Sequence, residues 1–274
     1  MKISVIVSVY KDVDALDLII QSLLNQSVKV DEIIISEDGN SDEMRKYFLT
    51  IKHNKFIKHL SQEDNGWQKN RALNRAIKSS ISQYLIFIDG DCVPYKTFVE
   101  SHKLLSERKY VLCGRRTEPG EKFSSLLRNK ELSVDMFTSK YISNYFKLQN
   151  DEIRHYDDGL YFHPDSIPFK LISQIRKNKE NHIVGCNFSC WKSDLEKING
   201  FDEDFILPTT GEDTDIERRL KHFGIQMKSC RYSANIIHLY HKKVFNKDIS
   251  NETEALMETK KDIFICKNGL KKLD

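Results

Sequence analysis

Three apolar runs constrain this chain more than anything else in it. They are Ile3-Ser4-Val5-Ile6-Val7-Ser8-Val9, Glu32-Ile33-Ile34-Ile35-Ser36 and Tyr84-Leu85-Ile86-Phe87-Ile88. They are rich in β-branched residues and do not alternate with charged ones, so each reads as a strand buried on both faces, the situation of a parallel sheet covered by helices. The intervening segments carry helical spacing. Leu16, Ile19, Ile20, Leu23 and Leu24 follow Asp12 or Asp14, either of which can cap a helix. Ser41 or Asp42 opens a second helix through Phe48, and Ala72, Leu73, Ala76 and Ile77 mark a third from about Gln68 to Lys78. A weaker strand lies between, at Lys55 to Leu60. This alternation predicts an α/β fold around an open sheet with right-handed crossovers.

Ligands of such sheets bind beyond the carboxyl ends of the strands. Ser8, Asp38 and the pair Asp89/Asp91 all fall at predicted strand ends, so polar groups converge on one edge. No G-x-G-x-x-G follows the first strand and no G-x-x-x-x-G-K-[ST] occurs, which argues against a dinucleotide site and a P-loop. After Gly114 the pattern loosens. Residues 120–181 are rich in charges and aromatics and either cover the sheet or shape a cleft. Order returns at Ile183 to Trp191, with a helix expected over Thr214 to His222, a strand near Ala234 to Leu239, and a helical tail from Thr253 to Leu273 with a basic end. With 11 Gly, 5 Pro, no repeat and no linker, one continuous fold is expected. Its parts are a nucleotide-binding half (residues 1–115), a second half holding the acceptor and the base (116–245) and the tail (246–274).

Composition narrows the function classes. Of 274 residues 39% are hydrophobic and the net charge is +3, enough for a core and too balanced for a dedicated nucleic-acid binder. No run approaches the roughly 20 apolar residues of a membrane span, and no signal-type segment precedes Ile3, so a cytoplasmic protein is expected. The six cysteines form no C-x-x-C pair and read as free thiols of a reducing compartment.

Three clusters carry chemistry. Asp89-Gly90-Asp91 can present two carboxylates to a divalent cation; the plain alternative is an Asp-Gly turn with solvated acids. In Gly211-Glu212-Asp213-Thr214-Asp215, one acid can be explained as helix capping, with Asp213 or Thr214 as N-cap and Glu217 closing a capping box. One cap does not explain three acids, and a carboxylate held among others gains the proton affinity of a general base. In His238-Leu239-Tyr240-His241, residues three apart on an extended chain face opposite sides, so at most one imidazole faces a site; a surface histidine pair is the alternative.

Together these motifs resemble family 2 glycosyltransferases. The likeness rests on Ile6-Val7-Ser8-Val9-Tyr10, Glu37-Asp38-Gly39, Asp64-Asn65-Gly66, Asp89-Gly90-Asp91 and Gly211-Glu212-Asp213, in that order. The stretch from Asn187-Phe188-Ser189 through Asn199-Gly200-Phe201-Asp202 to Leu220 resembles the galactosyltransferase-type C-terminal module of β-1,4-galactosyltransferases and bacterial chondroitin-polymerase-like enzymes. The resemblance implies a GT-A fold, with a Rossmann-like, mostly parallel sheet flanked by helices. It also implies metal-dependent, inverting transfer of a sugar (Gal, GalNAc or Glc) from a UDP-sugar to a glycan or lipid-linked glycan in surface polysaccharide or lipopolysaccharide synthesis. Under it Ser8 and Tyr10 line the uridine pocket and Asp38 bonds the uracil. Lys69 and Arg71 lie near the nucleotide, and Asp89 contacts the ribose or sugar. Asp91 and His238 hold Mn²⁺ or Mg²⁺, Asp213 is the base and Glu212 holds the acceptor. The sequence departs from the family at Lys11, at Glu37 and at Phe205 to Thr210, where a tryptophan- and glycine-rich acceptor platform is usual. A nucleotidyltransferase and a silent nucleotide-sugar-binding subunit of a synthase are the competing readings. The lysines of the tail, with Ile263, Phe264, Ile265 and Leu270, suggest contact with the inner face of a membrane, against a helix packed on the domain.

Overall fold

The computed structural model describes residues 1–149, 151, 153–209, 211–242 and 247–273. The first half runs β1 (Ile3–Val9), α1 (Val13–Leu24), β2 (Glu32–Glu37), α2 (Asp42–Ile51), β3 (Ile57–Ser61), α3 (Lys69–Ser79), β4 (Tyr84–Asp89), β5 (Cys92–Pro94), α4 (Phe98–Leu105), β6 (Tyr110–Cys113) and β7 (Arg116–Thr117). Next come α5 (Glu121–Arg128), α6 (Val134–Ser139), α7 (Tyr145–Gln149), a 3-10 turn (Tyr156–Gly159) and α8 (Ile167–Ile175). The chain closes with β8 (Asn187–Trp191), α9 (Lys192–Lys197), α10 (Gly211–His222), β9 (Gln226–Ser229), β10 (Ile236–His238) and α11 (Lys247–Thr259).

Seven strands form the main sheet in the order β3-β2-β1-β4-β8-β6-β9. β1 to β4 are mutually parallel where they pair, and β8 alone runs antiparallel to its neighbours β4 and β6. The apolar runs behave as a doubly covered sheet requires. Val5, Val7, Ile33, Ile35, Ile86 and Ile88 enter the core on the α1 side, while Ile6, Ile34, Leu85 and Phe87 enter the core under α3, α9 and α10. Asp12 caps α1 by accepting from Ala15 N–H at 3.0 Å, and Ser41 caps α2 by accepting from Met44 N–H at 3.2 Å, choosing one of each predicted pair. The loosely patterned middle segment packs Leu127, Phe137, Tyr141 and Leu148 into the α1-side core, and it also delivers one side chain, Arg128, to the cleft described below.

A smaller sheet has the strand order β5-β10-β7. Its register sets His238 opposite Cys92, next to the end of β4. This pairing brings residues near 90 and near 240 into one place.

The second core is anchored by an ion pair. Arg219 and Asp215 are 1% and 2% exposed at their side chains, with Nε 2.7 Å from Oδ2. Arg219 Nη1 also donates to the carbonyls of Ile198 and Gly200, each at 2.8 Å. Removing one partner of a buried pair strands the other, at a cost of about 3–5 kcal/mol. Asp215 also accepts from Arg218 Nη2 at 2.8 Å. Arg219→Ala is therefore expected to fall at the lower end of that range, about 3 kcal/mol, read by urea denaturation; a loss below about 1 kcal/mol would mean that Arg218 alone satisfies Asp215.

The C-terminal expectation needs correcting. The helix starts at Lys247 and stops at Thr259, and the residues after it turn back onto the domain. Asn199 fixes them, donating to the carbonyls of Cys266 (2.7 Å) and Lys271 (2.8 Å) and accepting from Lys271 N–H. Leu270 is buried, Phe264 stacks on His222 at 3.5 Å, and Lys260 pairs with Asp202 and Asp204. Much of the side-chain chemistry assigned to a membrane is thus spent on packing and ion pairs. No helix among the described residues is long and apolar enough to cross a bilayer. All six cysteines are buried and unpaired.

Candidate active site

A cleft of about 620 Å³ opens beyond the carboxyl ends of β1, β2 and β4. Ser8, at the end of β1, sits beside Ser36 of β2 and Asp89 of β4 in the sheet register. Ser8, Tyr10, Asp38, Lys69, Asp89 and Asp91 all line it, so six predicted residues meet there. Gly90 is required at its place: a Cβ there would lie 2.9 Å from the Ser8 carbonyl oxygen and from Val9 Cγ1, so the Asp-Gly-Asp turn presses against β1 as only glycine allows.

On the β2 side, Asp38 is buried and its carboxylate is held on both oxygens, accepting from Gln62 Nε2 at 2.8 Å and from the Gln68 backbone N–H at 2.7 Å. Tyr10 is half in solvent and donates its hydroxyl to Asp64 at 3.2 Å, while Lys11 meets the same carboxylate at 2.7 Å. The departure at Lys11 thus ties the loop after β1 to Asp64-Asn65-Gly66. Trp67 and Gly66 join this wall. Arg71 does not belong to it. It is exposed on α3, donates to Gln68 at 3.1 Å and is not among the cleft-lining residues, because α3 turns that position away from Lys69.

Lys69 connects the cleft to the second acid cluster. Its Nζ lies 2.9 Å from Asp89 and 3.8 Å from Glu212, and these carboxylates hold the ammonium charged against the cost of its burial. Glu212 is buried, and its Oε2 has no hydrogen-bond partner among the described residues. Asp213 accepts from Gly185 N–H at 2.7 Å, with Gly185 so close that a Cβ there would meet Asp213 Oδ1 at 2.5 Å. Burial pushes both carboxyls up, Asp213 to about 6, and the Lys69 charge opposes the rise. Asp89 and Arg116 also act on Asp213, and Arg116 acts on His238; Glu212, Asp213 and His238 themselves are not among the cleft-lining residues. Neither Asp213 nor Thr214 caps α10, contrary to the capping alternative. The helix begins at Gly211, which puts Glu212 and Asp213 in its first turn. Glu217 turns instead to Ile183 N–H and to His182.

The imidazoles overturn a second expectation. His238 Nε2 and His241 Nε2 each lie 3.4 Å from Asp91 Oδ2. β10 ends at His238, so the two-residue alternation that would have separated them no longer holds at 241. Burial lowers the affinity of His238 for a proton and favours the neutral ring. Cys92 donates its S–H to Asp91 Oδ1 at 3.1 Å, leaving Oδ2 toward the two rings.

Arg128 has no sequence signal and comes from the poorly patterned middle segment. It lines the cleft beside Asp91 and His241, its two terminal nitrogens bound to the Asp12 carboxylate at 2.8 and 2.9 Å.

A family model described as glycosyl transferase family 2 matches residues 4–198. The chain belongs to that family. A second model, described as the N-terminal domain of galactosyltransferase, matches residues 172–242 of this glycosyltransferase. It is 33% identical over 111 residues to an uncharacterized glycosyltransferase of Rickettsia conorii, covering 40% of this chain and 18% of that one. It is 22% identical to chondroitin synthase of Escherichia coli, covering 92% of this chain and 36% of that one. Among solved structures, GalNAc-T7 with UDP, GalNAc and Mn²⁺ superposes with a TM-score of 0.60 at 14% identity, over 89% of this chain and 44% of that one. The fold of this glycosyltransferase is therefore GT-A. The chain spans about half or less of the length of the curated relatives it matches.

Proposed function

We propose that this glycosyltransferase moves a sugar, with inversion, from a UDP-sugar to a glycan acceptor, with a divalent cation at Asp91. The observation that carries the reading is Lys69, which lines the cleft and ties Asp89 of the Asp-Gly-Asp turn to Glu212, the buried neighbour of Asp213. The relatives supply the substrate class: the solved neighbour holds UDP and Mn²⁺, and chondroitin synthase by its name builds a polysaccharide. The sugar (Gal, GalNAc or Glc) and the use in surface polysaccharide or lipopolysaccharide synthesis belong to the same proposal.

The residues fit a cation. One carboxylate oxygen faces two imidazole nitrogens, one of them kept neutral by burial, and neutral imidazole with carboxylate is a donor set that suits Mn²⁺ better than Mg²⁺. Held there, the cation supplies Lewis-acid neutralisation of the charge developing on a diphosphate leaving group. The protein's own groups do the rest. Ser8, Tyr10 and Asp38 seat the nucleoside, and Lys69 fixes Asp89. Glu212, whose Oε2 has no partner among the described residues, receives an acceptor hydroxyl. Asp213 takes the proton as that hydroxyl attacks, in one displacement that needs no enzyme nucleophile. The anomeric configuration of the first product, read by proton NMR from an α-linked donor, tests the reading; a β product supports it and an α product rejects it.

Two further results are expected. A base works only when deprotonated, so kcat/KM should rise with pH and level off above about 6, where Asp213 loses its proton; a flat profile between pH 5 and 7 would remove Asp213 from that role. Arg128 stands where a diphosphate would approach Asp91, so Arg128→Gln should weaken binding of UDP by about tenfold and leave uridine binding unchanged. Equal effects on both ligands, measured by calorimetry, would show that Arg128 only supports the loop at Asp12.

A further inference from the structure

Helix α8 is held to the domain by one narrow seam. Phe169 is buried and Ile172 is partly so, and both line a groove against the edge strand β9. The adjoining face points outward. Ile167, Leu171 and Ile175 are 73%, 56% and 80% exposed. Set four apart, they form a single stripe, since each step of four advances about 40° around the helix. Ser166 caps the helix by accepting from Phe169 N–H at 3.3 Å, and Pro168 occupies its first turn, so the stripe sits on a helix with its own start signal. Cations lie close by in sequence: exposed Lys170 on the helix and exposed Lys177 and Lys179 after its end, with Arg176 and Lys177 also lining the groove against β9; the nearest acids are Asp165 and Glu180. Single exposed apolar residues are ordinary; a two-turn stripe with lysines on and just past its helix suits a helix that lies in the boundary of an anionic bilayer.

We propose that α8 docks this enzyme on an anionic lipid surface, with Ile167, Leu171 and Ile175 entering the headgroup boundary and Lys170, Lys177 and Lys179 meeting lipid phosphates. The charges select this occupant over a purely apolar partner, and the place in the chain agrees. The segment after α8 runs directly to Gly185, whose N–H holds Asp213, so the docked face and the base belong to one short stretch of chain. Of the tail's apolar residues Leu270 and Phe264 are occupied within the fold, which leaves Ile263 and Ile265 exposed there and a shorter apolar stretch than on α8. The inference stands apart from the choice of donor.

Flotation of the full chain with phosphatidylcholine vesicles, with and without phosphatidylglycerol, tests it. The protein should float with the anionic vesicles, less at high salt, and not with the neutral ones. The triple variant Ile167→Ser, Leu171→Ser, Ile175→Ser should lose at least about tenfold in partitioning with an unchanged thermal midpoint and circular dichroism, since those side chains make no core. Lys170→Gln with Lys177→Gln and Lys179→Gln should weaken flotation without touching the stripe. Failure of the wild type to float, or equal flotation of the serine variant, overturns the proposal. So does a wild-type dimer in sedimentation velocity that the serine variant abolishes, which would assign the stripe to a second copy.

Discussion

Replacing Asp213 by Asn is expected to lower kcat by about 10²–10⁴-fold, the range that a positioned general base contributes, while leaving donor binding intact. The substitution suits the question. An Asn oxygen can still accept from Gly185 N–H, as Asp213 does at 2.7 Å, so the first turn of α10 keeps its anchor and the protein should fold normally. Only the ability to take a proton is lost. A silent binding subunit would bind UDP-sugar equally well in both forms and turn over neither. A nucleotidyltransferase would fail to release free UDP with the wild type. Each competitor therefore predicts a different pair of binding and turnover results.

Asp91→Asn should be nearly as damaging by a different route. The variant removes the anionic oxygen that faces both imidazoles at 3.4 Å and leaves only a neutral amide to share with Cys92. Loss of the cation's hold on a diphosphate is expected to cost several kcal/mol in the transition state, about 10²–10³-fold in turnover. Mn²⁺ affinity, read by calorimetry on the protein alone, should fall in parallel. Unchanged Mn²⁺ binding in this variant would move the cation away from β4 and return the Asp-Gly-Asp motif to an ordinary turn. The two substitutions should separate: Asp213→Asn retains Mn²⁺-dependent UDP binding and Asp91→Asn loses it.

The parts of this molecule that were legible in its sequence are those where a local rule and the fold agree. The strands that line the cleft are apolar at nearly every position because the sheet is covered on both faces, and the polar residues that end them are the ones that face a ligand edge. Asp89-Gly90-Asp91 could be read because glycine there answers a steric demand at Ser8 and Val9. What escaped was set by partners distant in sequence. His241 reaches Asp91 only because β10 is three residues long and pairs with β5, so an alternation rule for a longer strand misjudged it. Arg128 lies in a segment whose helices are short and whose place depends on tertiary packing. Arg71 follows Lys69 by two residues, a spacing that puts it on another side of α3. The segment that departs from the family pattern starts with buried Phe205 and exposed Ile206 and runs to Thr210, which lies outside the described residues; its sequence holds no tryptophan. Nor did composition reveal that the tail's lysines would be drawn to Asp202, Asp204 and Glu203.

The most direct test is UDP release from a panel of UDP-sugars, with Mn²⁺ and then with EDTA, for the wild type and for Asp213→Asn. We expect at least one sugar nucleotide to be consumed with Mn²⁺, and release to collapse both on chelation and in the variant. No release from any UDP-sugar, or release that survives EDTA undiminished, would contradict a cation at Asp91 working across one cavity from a base at Asp213.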